Sequence, residues 1–353
     1  PCATAERWER KSWPGERMIR HRCPHCSAKL KTVKITFLGT GTSQGVPVIA
    51  CECDVCTSPD PKDKRLRASL LVETALNTFV IDAGPDFRQQ MLRENISSID
   101  AILITHGHLD HILGLGGLLS TFMRWETIEQ LDIYGSKTAL ERVADLLFEV
   151  VLRGAEPPMP LFLNTLQPGP FISEDDFTVS AFQVQHRGSE SYGFVFEEKG
   201  RRPFLADEAE RLGVPNGPLR RALVEGQDIV LSDGRTVRPE EVLGDFRPGT
   251  RIVVIGDVGD TSSLVDVCRG ADALVVEATY LEEESEMARH FGHMTARQSA
   301  TLALNAGVSR LFLTHVSRRY REKDILSEAQ SVFPEVVVAR DFDTFQIRRN
   351  DSD

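Results

Sequence analysis

The chain has 353 residues, is 41% hydrophobic and 26% charged, and carries a formal net charge of −11. It is long enough to bury a large core, and no apolar run approaches the ~20 residues that cross a bilayer. The N-terminus lacks the apolar stretch of a signal peptide, so we expect a cytoplasmic protein without a membrane anchor. The negative charge disfavours indiscriminate nucleic-acid binding but allows a local basic face.

Residues 1–32 form the first segment, a basic N-terminal extension. Nine lysine and arginine residues lie in residues 1–34, against three glutamates. The sequence "CPHC" contains Cys23 and Cys26 and resembles half of a zinc ribbon without its second cysteine pair. In a cytosolic chain such short spacing favours a metal over a disulfide. A metal completed by a nearby histidine or cysteine, a metal shared with another chain, and disorder without metal all stay open.

The predicted secondary structure alternates short apolar strands with longer helical patterns. Runs rich in Val, Ile and Phe predict strands at 33–39, 78–84, 101–106, 177–186, 192–198, 251–257, 273–278 and 310–315. A helix is predicted over 295–307. Six of the strands have a polar residue at or near their C-terminal end, namely Asp82, His106, His186, Asp257, Glu277 and His315. Because reactive side chains of layered α/β proteins gather at strand ends, we expect one shared site.

The sequence "HGHLDH" places four metal-ligand residue types within six positions. A strand that ends at Thr105 delivers His106 and His108 into a loop where both can face one metal, while Asp110 and His111 can serve a second. Zinc takes imidazole nitrogen and carboxylate oxygen as ligands. Two metals ~3.5–4 Å apart can activate a water and clamp a phosphoryl centre. A polar surface loop is the alternative, but the density of ligands favours a metal site.

The HxHxDH pattern resembles the metallo-β-lactamase superfamily, and further sequences narrow the resemblance to the ribonuclease Z family. These are "IDAG" with "FRQQ", "VQHRGSESYGF", "VIGD", "EAT", "FGHMTARQSA" and "LTHVSRRY", spread over most of residues 33–348. The resemblance implies an α/β protein with an αββα fold over residues 33–353, in which two mixed sheets are flanked by helices. It also implies a homodimeric endonuclease with two zinc ions, or manganese. Such an enzyme cuts precursor tRNA after the discriminator position and leaves a 3′-hydroxyl.

The same resemblance implies a role for each ligand-type residue. Two metal sites are implied, one at His106, His108 and His186 and the other at Asp110, His111 and His293. Asp257 would bridge the two metals, in preference to its rival Asp260, because it directly ends a strand. Asp110 would also be the general base for the attacking water. Asp82 would steady a ligand histidine through a hydrogen bond.

A glycine- and proline-rich stretch, "LGVPNGPLRRALVEGQDIVLSDGR" at residues 212–235, resembles the arm with which ribonuclease Z grips the tRNA elbow. The inserted arm is expected at residues 203–236, as a stiff turn rather than a packed helix. A surface excursion rich in turn residues is the alternative. Contacts with tRNA, through phosphates rather than bases, are expected at Gly213, Pro215, Gly217, Pro218, Arg220 and Arg221.

Two sequences depart from the family. Val276 precedes "EAT" where ribonuclease Z has a histidine that helps protonate the leaving 3′-oxygen, so Glu277 or His315 would have to be the donor. The sequence "GVPVIACECDVC" resembles the phosphoribosyl cyclic phosphodiesterase branch of the superfamily, in which three cysteines and a histidine hold a structural zinc. That third zinc is implied here at Cys51, Cys53, Cys56 and His290. Ordinary thiols without metal are the alternative.

These departures keep a second function open, the hydrolysis of a small cyclic phosphate or nucleotide phosphodiester. A non-catalytic RNA-binding relic is a third, and it is disfavoured because only metal chemistry needs all seven ligands. The arm favours precursor tRNA, since a small diester has no use for a distant grip.

Overall fold

The computed structural model describes residues 33–125, 130–157, 159–174 and 176–348. The basic extension with Cys23 and Cys26 lies outside these ranges. Within them, no helix is both long enough and apolar enough to cross a membrane.

Two seven-stranded sheets dominate the described part of the chain. In the first sheet the order is β16-β1-β2-β3-β4-β5-β6, with β1 (Val33–Gly39), β2 (Ser69–Glu73), β3 (Thr78–Ile81), β4 (Ala101–Leu103), β5 (Leu131–Gly135), β6 (Leu161–Thr165) and β16 (Thr344–Ile347). In the second the order is β15-β14-β13-β12-β9-β8-β7, with β7 (Gly169–Ser173), β8 (Phe177–His186), β9 (Ser189–Glu198), β12 (Arg251–Val254), β13 (Ala273–Glu277), β14 (Leu311–Thr314) and β15 (Val336–Val338). A small hairpin consists of β10 (Ile229–Val230) and β11 (Thr236–Val237). Both large sheets contain parallel and antiparallel pairs.

Helices follow most of the parallel strands. They are α1 (Phe87–Arg93), α2 (Leu109–Ile112), α3 (Gly114–Trp125), α4 (Lys137–Ala144), α5 (Ala206–Arg211), α6 (Pro218–Val224), α7 (Pro239–Val242), α8 (Val265–Cys268), α9 (Ser285–Phe291), α10 (Ala296–Ala306) and α11 (Glu322–Gln330). A π-helical segment, Asp145–Val151, continues α4. The helix predicted over 295–307 is confirmed as α10: Thr295 and Gln298 form a capping box at its start, and Gly307 ends it with φ of 60°.

The core consists of three apolar layers, which β12 illustrates. Ile252 and Val254 point into the layer between the two sheets, whereas Val253 lies against the helices with Ile255, which follows the strand. A third layer packs the outer face of the first sheet on its own helices. This alternation buries both faces of each sheet. The expected αββα architecture is therefore confirmed.

Residues 204–243 form a small unit with an apolar cluster of its own, centred on Val214, Leu223 and Val242. The unit contains α5, α6, the β10–β11 hairpin and α7, which pack chiefly on one another. Backbone bridges join the two chain segments that lead into it, between Phe204 and Leu243 and one step further out. The expected turn is present at residues 212–217, but two packed helices flank it, and its glycine and proline residues mark the helix ends. Gly217, with φ of 119°, precedes the first residue of α6, which is a proline.

Candidate metal centre

The first cluster of possible ligands is the one expected for the first metal, together with the expected bridge. Its members, whose ligand atoms lie within 4.8 Å of one another, are His106, His108, His186 and Asp257. Nε2 of His106 and Nε2 of His186 lie 3.9 and 3.8 Å from Oδ2 of Asp257. Nε2 of His106 is also 2.8 Å from Nδ1 of His108, so these two nitrogen atoms face the same point.

The second cluster consists of Asp110, His111 and His315. Nε2 of His315 and Nε2 of His111 lie 3.3 and 3.8 Å from Oδ1 of Asp257, and Nε2 of His111 lies 3.2 Å from Asp110. The two carboxylate oxygens of Asp257 thus face different histidine groups. This arrangement has the geometry of a bridging ligand.

Hydrogen bonds fix the ring orientation in the first cluster. The hydroxyl of Thr105 donates to Asp82 over 2.7 Å, so it accepts a hydrogen bond from Nδ1 of His106 at 3.0 Å. Nδ1 of His186 donates to the carbonyl oxygen of Gly292 over 2.8 Å. Both rings therefore keep the lone pair of Nε2 free, as metal-ligating histidines require.

The second cluster is supported in the same way. Nδ1 of His111 donates to Asp82 over 2.6 Å, the contact expected for that aspartate. The hydroxyl of Thr279 donates to Glu277, so it accepts from Nδ1 of His315 at 2.8 Å. Thr105 and Thr279 were not identified from the sequence, although each lies within two residues of a strand-end ligand or carboxylate.

Three buried ring nitrogens have no hydrogen-bond partner among the described residues, namely Nε2 of His111, His186 and His315. A buried polar atom left unpaired costs about 1–3 kcal/mol, so such a cluster calls for a ligand. Neutral imidazoles with carboxylates suit zinc and similar divalent ions. The residues present therefore fit a divalent metal site.

His293 was expected to bind the second metal with Asp110 and His111, but the structure places His315 in that cluster instead. His293 lies beside Asp257 and His315, and its Nδ1 donates to Glu277 over 2.9 Å. Burial of the ring opposes protonation, yet the carboxylate of Glu277 outweighs it and raises the pKa of His293 to about 9. His293 can thus carry a proton, the role for which Glu277 or His315 was expected.

The side chain at position 276 points away from the metal centre. Val276 is fully buried in the apolar layer with Ile255 and Ala300, on the helix-covered face of β13. Glu277, next along the strand, takes the opposite face and accepts a hydrogen bond from the backbone N–H of Val258. A valine at position 276 consequently removes no proton donor from this centre.

The carboxylates at the centre differ in their surroundings. Burial disfavours ionisation of Asp110, but its contact with His111, whose Nε2 lies 3.2 Å away, outweighs it and holds the pKa of Asp110 well below its ordinary value. Asp260, the rival of Asp257, instead accepts hydrogen bonds from the N–H and hydroxyl of Ser262. It belongs to none of the clusters of possible ligands among the described residues.

Cys51, Cys53 and Cys56 form a separate cluster, with sulfur atoms within 4.8 Å of one another. The structure does not bring His290 to it: that ring packs edge-on against Phe291, and His290 borders a pocket beside the metal centre. In the described part of the chain, no histidine or carboxylate joins the three sulfur atoms within that distance. Burial works to raise the pKa of Cys53, but hydrogen bonds to its sulfur outweigh it and lower the pKa to about 7.

The six residues expected to contact tRNA differ in accessibility. Gly213 and Pro215 to Pro218 lie at or near the exposed turn between α5 and α6. Arg221 is 82% exposed and pairs with Glu225. Arg220 is only 15% exposed, because its guanidinium donates two hydrogen bonds to the carbonyl oxygen of Val214. Arg220 therefore holds the unit together and is not free for a phosphate.

The chain is similar to a known protein family and to named proteins. The family model "Beta-lactamase superfamily domain" matches residues 77–249 and 241–316. Ribonuclease Z of Bradyrhizobium diazoefficiens is 39% identical over 311 residues, which cover 88% of this chain and 98% of that protein. Ribonuclease Z of Haloferax volcanii is 35% identical over 331 residues, with 91% and 97% covered.

Solved structures agree on the fold. A diphosphatase of the PhnP family superposes with a TM-score of 0.63 at 25% identity, covering 90% of this chain and 100% of that one. The short form of human tRNase Z gives a TM-score of 0.58 at 23% identity, covering 89% and 99%. With this fold, this metal centre and relatives that match over nearly their whole length, the chain belongs to the ribonuclease Z family of the metallo-β-lactamase superfamily.

Proposed function

We propose that this protein is a dinuclear metal-dependent endonuclease that cuts precursor tRNA after the discriminator position and leaves a 3′-hydroxyl. The observation that carries the proposal is the position of Asp257, whose two carboxylate oxygens face the two histidine clusters of this chain. The similarity of the chain to ribonuclease Z supports it. A single carboxylate between two groups of imidazole nitrogens suits two metals and a phosphodiester substrate.

Zinc, or manganese in its place, would be held in two sites that share Asp257. The first comprises His106, His108 and His186, and the second comprises Asp110, His111 and His315. Bound there, the metals supply Lewis acidity that polarises a phosphoryl oxygen and makes water a better nucleophile near neutral pH. A third zinc at Cys51, Cys53 and Cys56 would be structural, because cysteine-rich ligand sets are typical of structural zinc.

Two groups of the protein would move protons. Asp110 borders the second cluster, with an oxygen 3.2 Å from Nε2 of His111, and would serve as general base for the attacking water. His293 protonates the leaving 3′-oxygen from Nε2, because its Nδ1 is held by Glu277. Glu277 then acts through His293 and, by way of Thr279, on the orientation of His315, which acts as a ligand.

The unit at residues 204–243 would be the arm that holds tRNA away from the metal centre. Its own apolar cluster lets it fold as a separate body, and its exposed turn offers backbone and the Arg221 guanidinium to phosphates. Several of its arginines already pair with acidic neighbours, so shape would contribute more than charge to its grip.

A second candidate function is the hydrolysis of a small phosphodiester or diphosphate. The cysteine cluster and the diphosphatase among the structural neighbours favour it. Purified protein reconstituted with zinc or manganese should be given precursor tRNA and bis(p-nitrophenyl) phosphate in parallel. The proposal expects a single cut at the discriminator position, abolished by a chelator and restored by metal. Hydrolysis of the small diester alone would favour the second candidate.

A further inference from the structure

An open pocket of about 550 Å³ lies against the metal centre, on the outer side of ligand His186. This volume falls within the ~300–1,000 Å³ range of ligand-binding pockets. Its walls are the end of β8, the start of β9, the loop at Gly259 and the C-terminal end of α9. A second cavity, of about 40 Å³, lies between His111, Asp257 and His315 and core residues such as Phe37 and Ile81. Of these two cavities, only the larger has room for part of a substrate chain.

Arg187 lines this pocket and has an unusual backbone conformation. It follows His186 directly and has φ of 46°, which only a few per cent of non-glycine residues adopt. Its side chain runs over Gly292, where an added Cβ would lie 2.7 Å from Cγ of Arg187. The same glycine supplies the carbonyl oxygen that orients His186. The position of Arg187 is thus tied to that of a metal-ligand histidine.

The charged side chains around the pocket differ in whether they have a hydrogen-bond partner. The side chains of Arg187 and Arg289, both exposed, make no hydrogen bond or ion pair with residues in the described ranges. The two carboxylates on the pocket are engaged: Asp260 accepts from Ser262, and Glu190 accepts from the hydroxyl of Thr138 at 3.4 Å. Both carboxylates thus have a neutral hydrogen-bond partner, whereas the two guanidinium groups have none in the described ranges.

We infer that this pocket binds a backbone phosphate of the RNA next to the scissile one, with Arg187 and Arg289 as the residues that contact it. The inference rests on the proposed function and assigns part of the substrate a place. A guanidinium offers parallel N–H donors that match two phosphate oxygens, which a lysine cannot do. Because Arg187 is adjacent in sequence to His186, the contact would fix the distance between the bound phosphate and the metals.

The test compares Arg187→Gln, Arg289→Gln and the double variant with Arg310→Gln. Arg310 is an exposed arginine at the opposite end of β14 from His315, so it is a matched control. For the double variant we expect KM for precursor tRNA to rise about tenfold, with a much smaller change in kcat. The slope of log kcat/KM against log salt concentration should flatten by about 0.7, since the double variant loses one single-strand phosphate contact. The loss on precursor tRNA should exceed the loss on bis(p-nitrophenyl) phosphate severalfold.

Precursors with trailers of one and of several nucleotides locate the phosphate. A one-nucleotide trailer has no phosphodiester beyond the scissile one, so an effect that disappears with it assigns the pocket to the trailer. An effect that persists assigns it to the acceptor strand, and both results support the inference. If wild-type protein cuts precursor tRNA and the double variant behaves like Arg310→Gln, the inference is wrong and the proposed function stands. If wild-type protein cuts no precursor tRNA, the proposed function fails first.

Discussion

At the scale of single residues, the centre depends on contacts that hold each ring from behind. Asp82 is the clearest case, since it is buried, accepts from Nδ1 of His111 and also accepts from both the N–H and the hydroxyl of Thr105. One carboxylate therefore orients both metal clusters, because Thr105 in turn fixes His106. Hydrogen-bond partners of ligand histidines have a strong effect on metal affinity.

Asp82→Asn should lower the affinity for the second metal about 10- to 100-fold, because an amide no longer supplies both acceptor oxygens. Competition with a chromogenic chelator measures this directly. The matched control is Asp100→Asn. Asp100 also accepts a hydrogen bond from a backbone N–H, that of Thr78 over 2.7 Å, but it lies at the opposite end of the strands from the metal centre. Equal metal affinities in the two variants would contradict the role of Asp82.

His293→Ala should reduce kcat for precursor tRNA by about 10²–10⁴-fold, the usual contribution of a general acid. Hydrolysis of bis(p-nitrophenyl) phosphate should suffer much less, because p-nitrophenolate leaves without a proton. The metal content, measured by mass spectrometry, should stay at the wild-type value. If His293 were a ligand, the variant would lose metal and both substrates would be affected alike.

At the scale of structural elements, the loop with the three cysteines and the arm are additions to the two sheets. The loop carries its own small apolar cluster, in which Val46 and Val55 pack with the cysteines. The arm has a larger one. Each element can therefore be altered while the strands that carry the metal ligands stay intact.

Cys53→Ser should remove one zinc per chain and lower the melting temperature, because a closed metal site contributes directly to folding. Cys268→Ser is the control, since Cys268 is buried in the apolar layer beside α10 and should leave the zinc content unchanged. Thiol labelling offers a second readout at pH 8. After chelation, iodoacetamide should modify Cys53, whose pKa is about 7, and spare Cys268, whose burial raises its pKa to about 12. Protection of Cys53 that does not depend on metal would count against the zinc site.

Replacing residues 205–242 with a short glycine–serine linker should raise KM for precursor tRNA about tenfold or more, because phosphate contacts distant from the metals are lost. Hydrolysis of bis(p-nitrophenyl) phosphate should be retained. The linker is feasible because Phe204 and Leu243 are paired across the base of the arm. Equal loss on both substrates would mean that the arm only supports the body.

At the scale of the whole molecule, the family resemblance implied the two-sheet architecture, and the strand pattern predicted the edge that carries the ligands. Strands such as 251–257 and 310–315 are apolar runs that end on a polar residue, and both properties are visible without coordinates. The division of labour between His293 and His315 was not predictable in this way. Both follow elements at the same edge, and only the hydrogen bonds of Glu277 and Thr279 decide which ring faces the metals. Likewise, the spacing of His290 from His293 gave no indication that it would turn away from the cysteines.

The pairing of β1 with β16 has a consequence for synthesis. The hydroxyls of Thr36 and Thr344 meet at 3.0 Å across 308 residues of chain. At ~5–20 residues per second, a ribosome needs about 15–60 s to deliver the second strand after the first. Throughout that interval β1 has an open edge, which can recruit a strand from another nascent chain. We therefore expect this protein to depend on chaperones during translation. A circular permutant that begins with β16 supplies this strand first, and we expect it to give a higher yield.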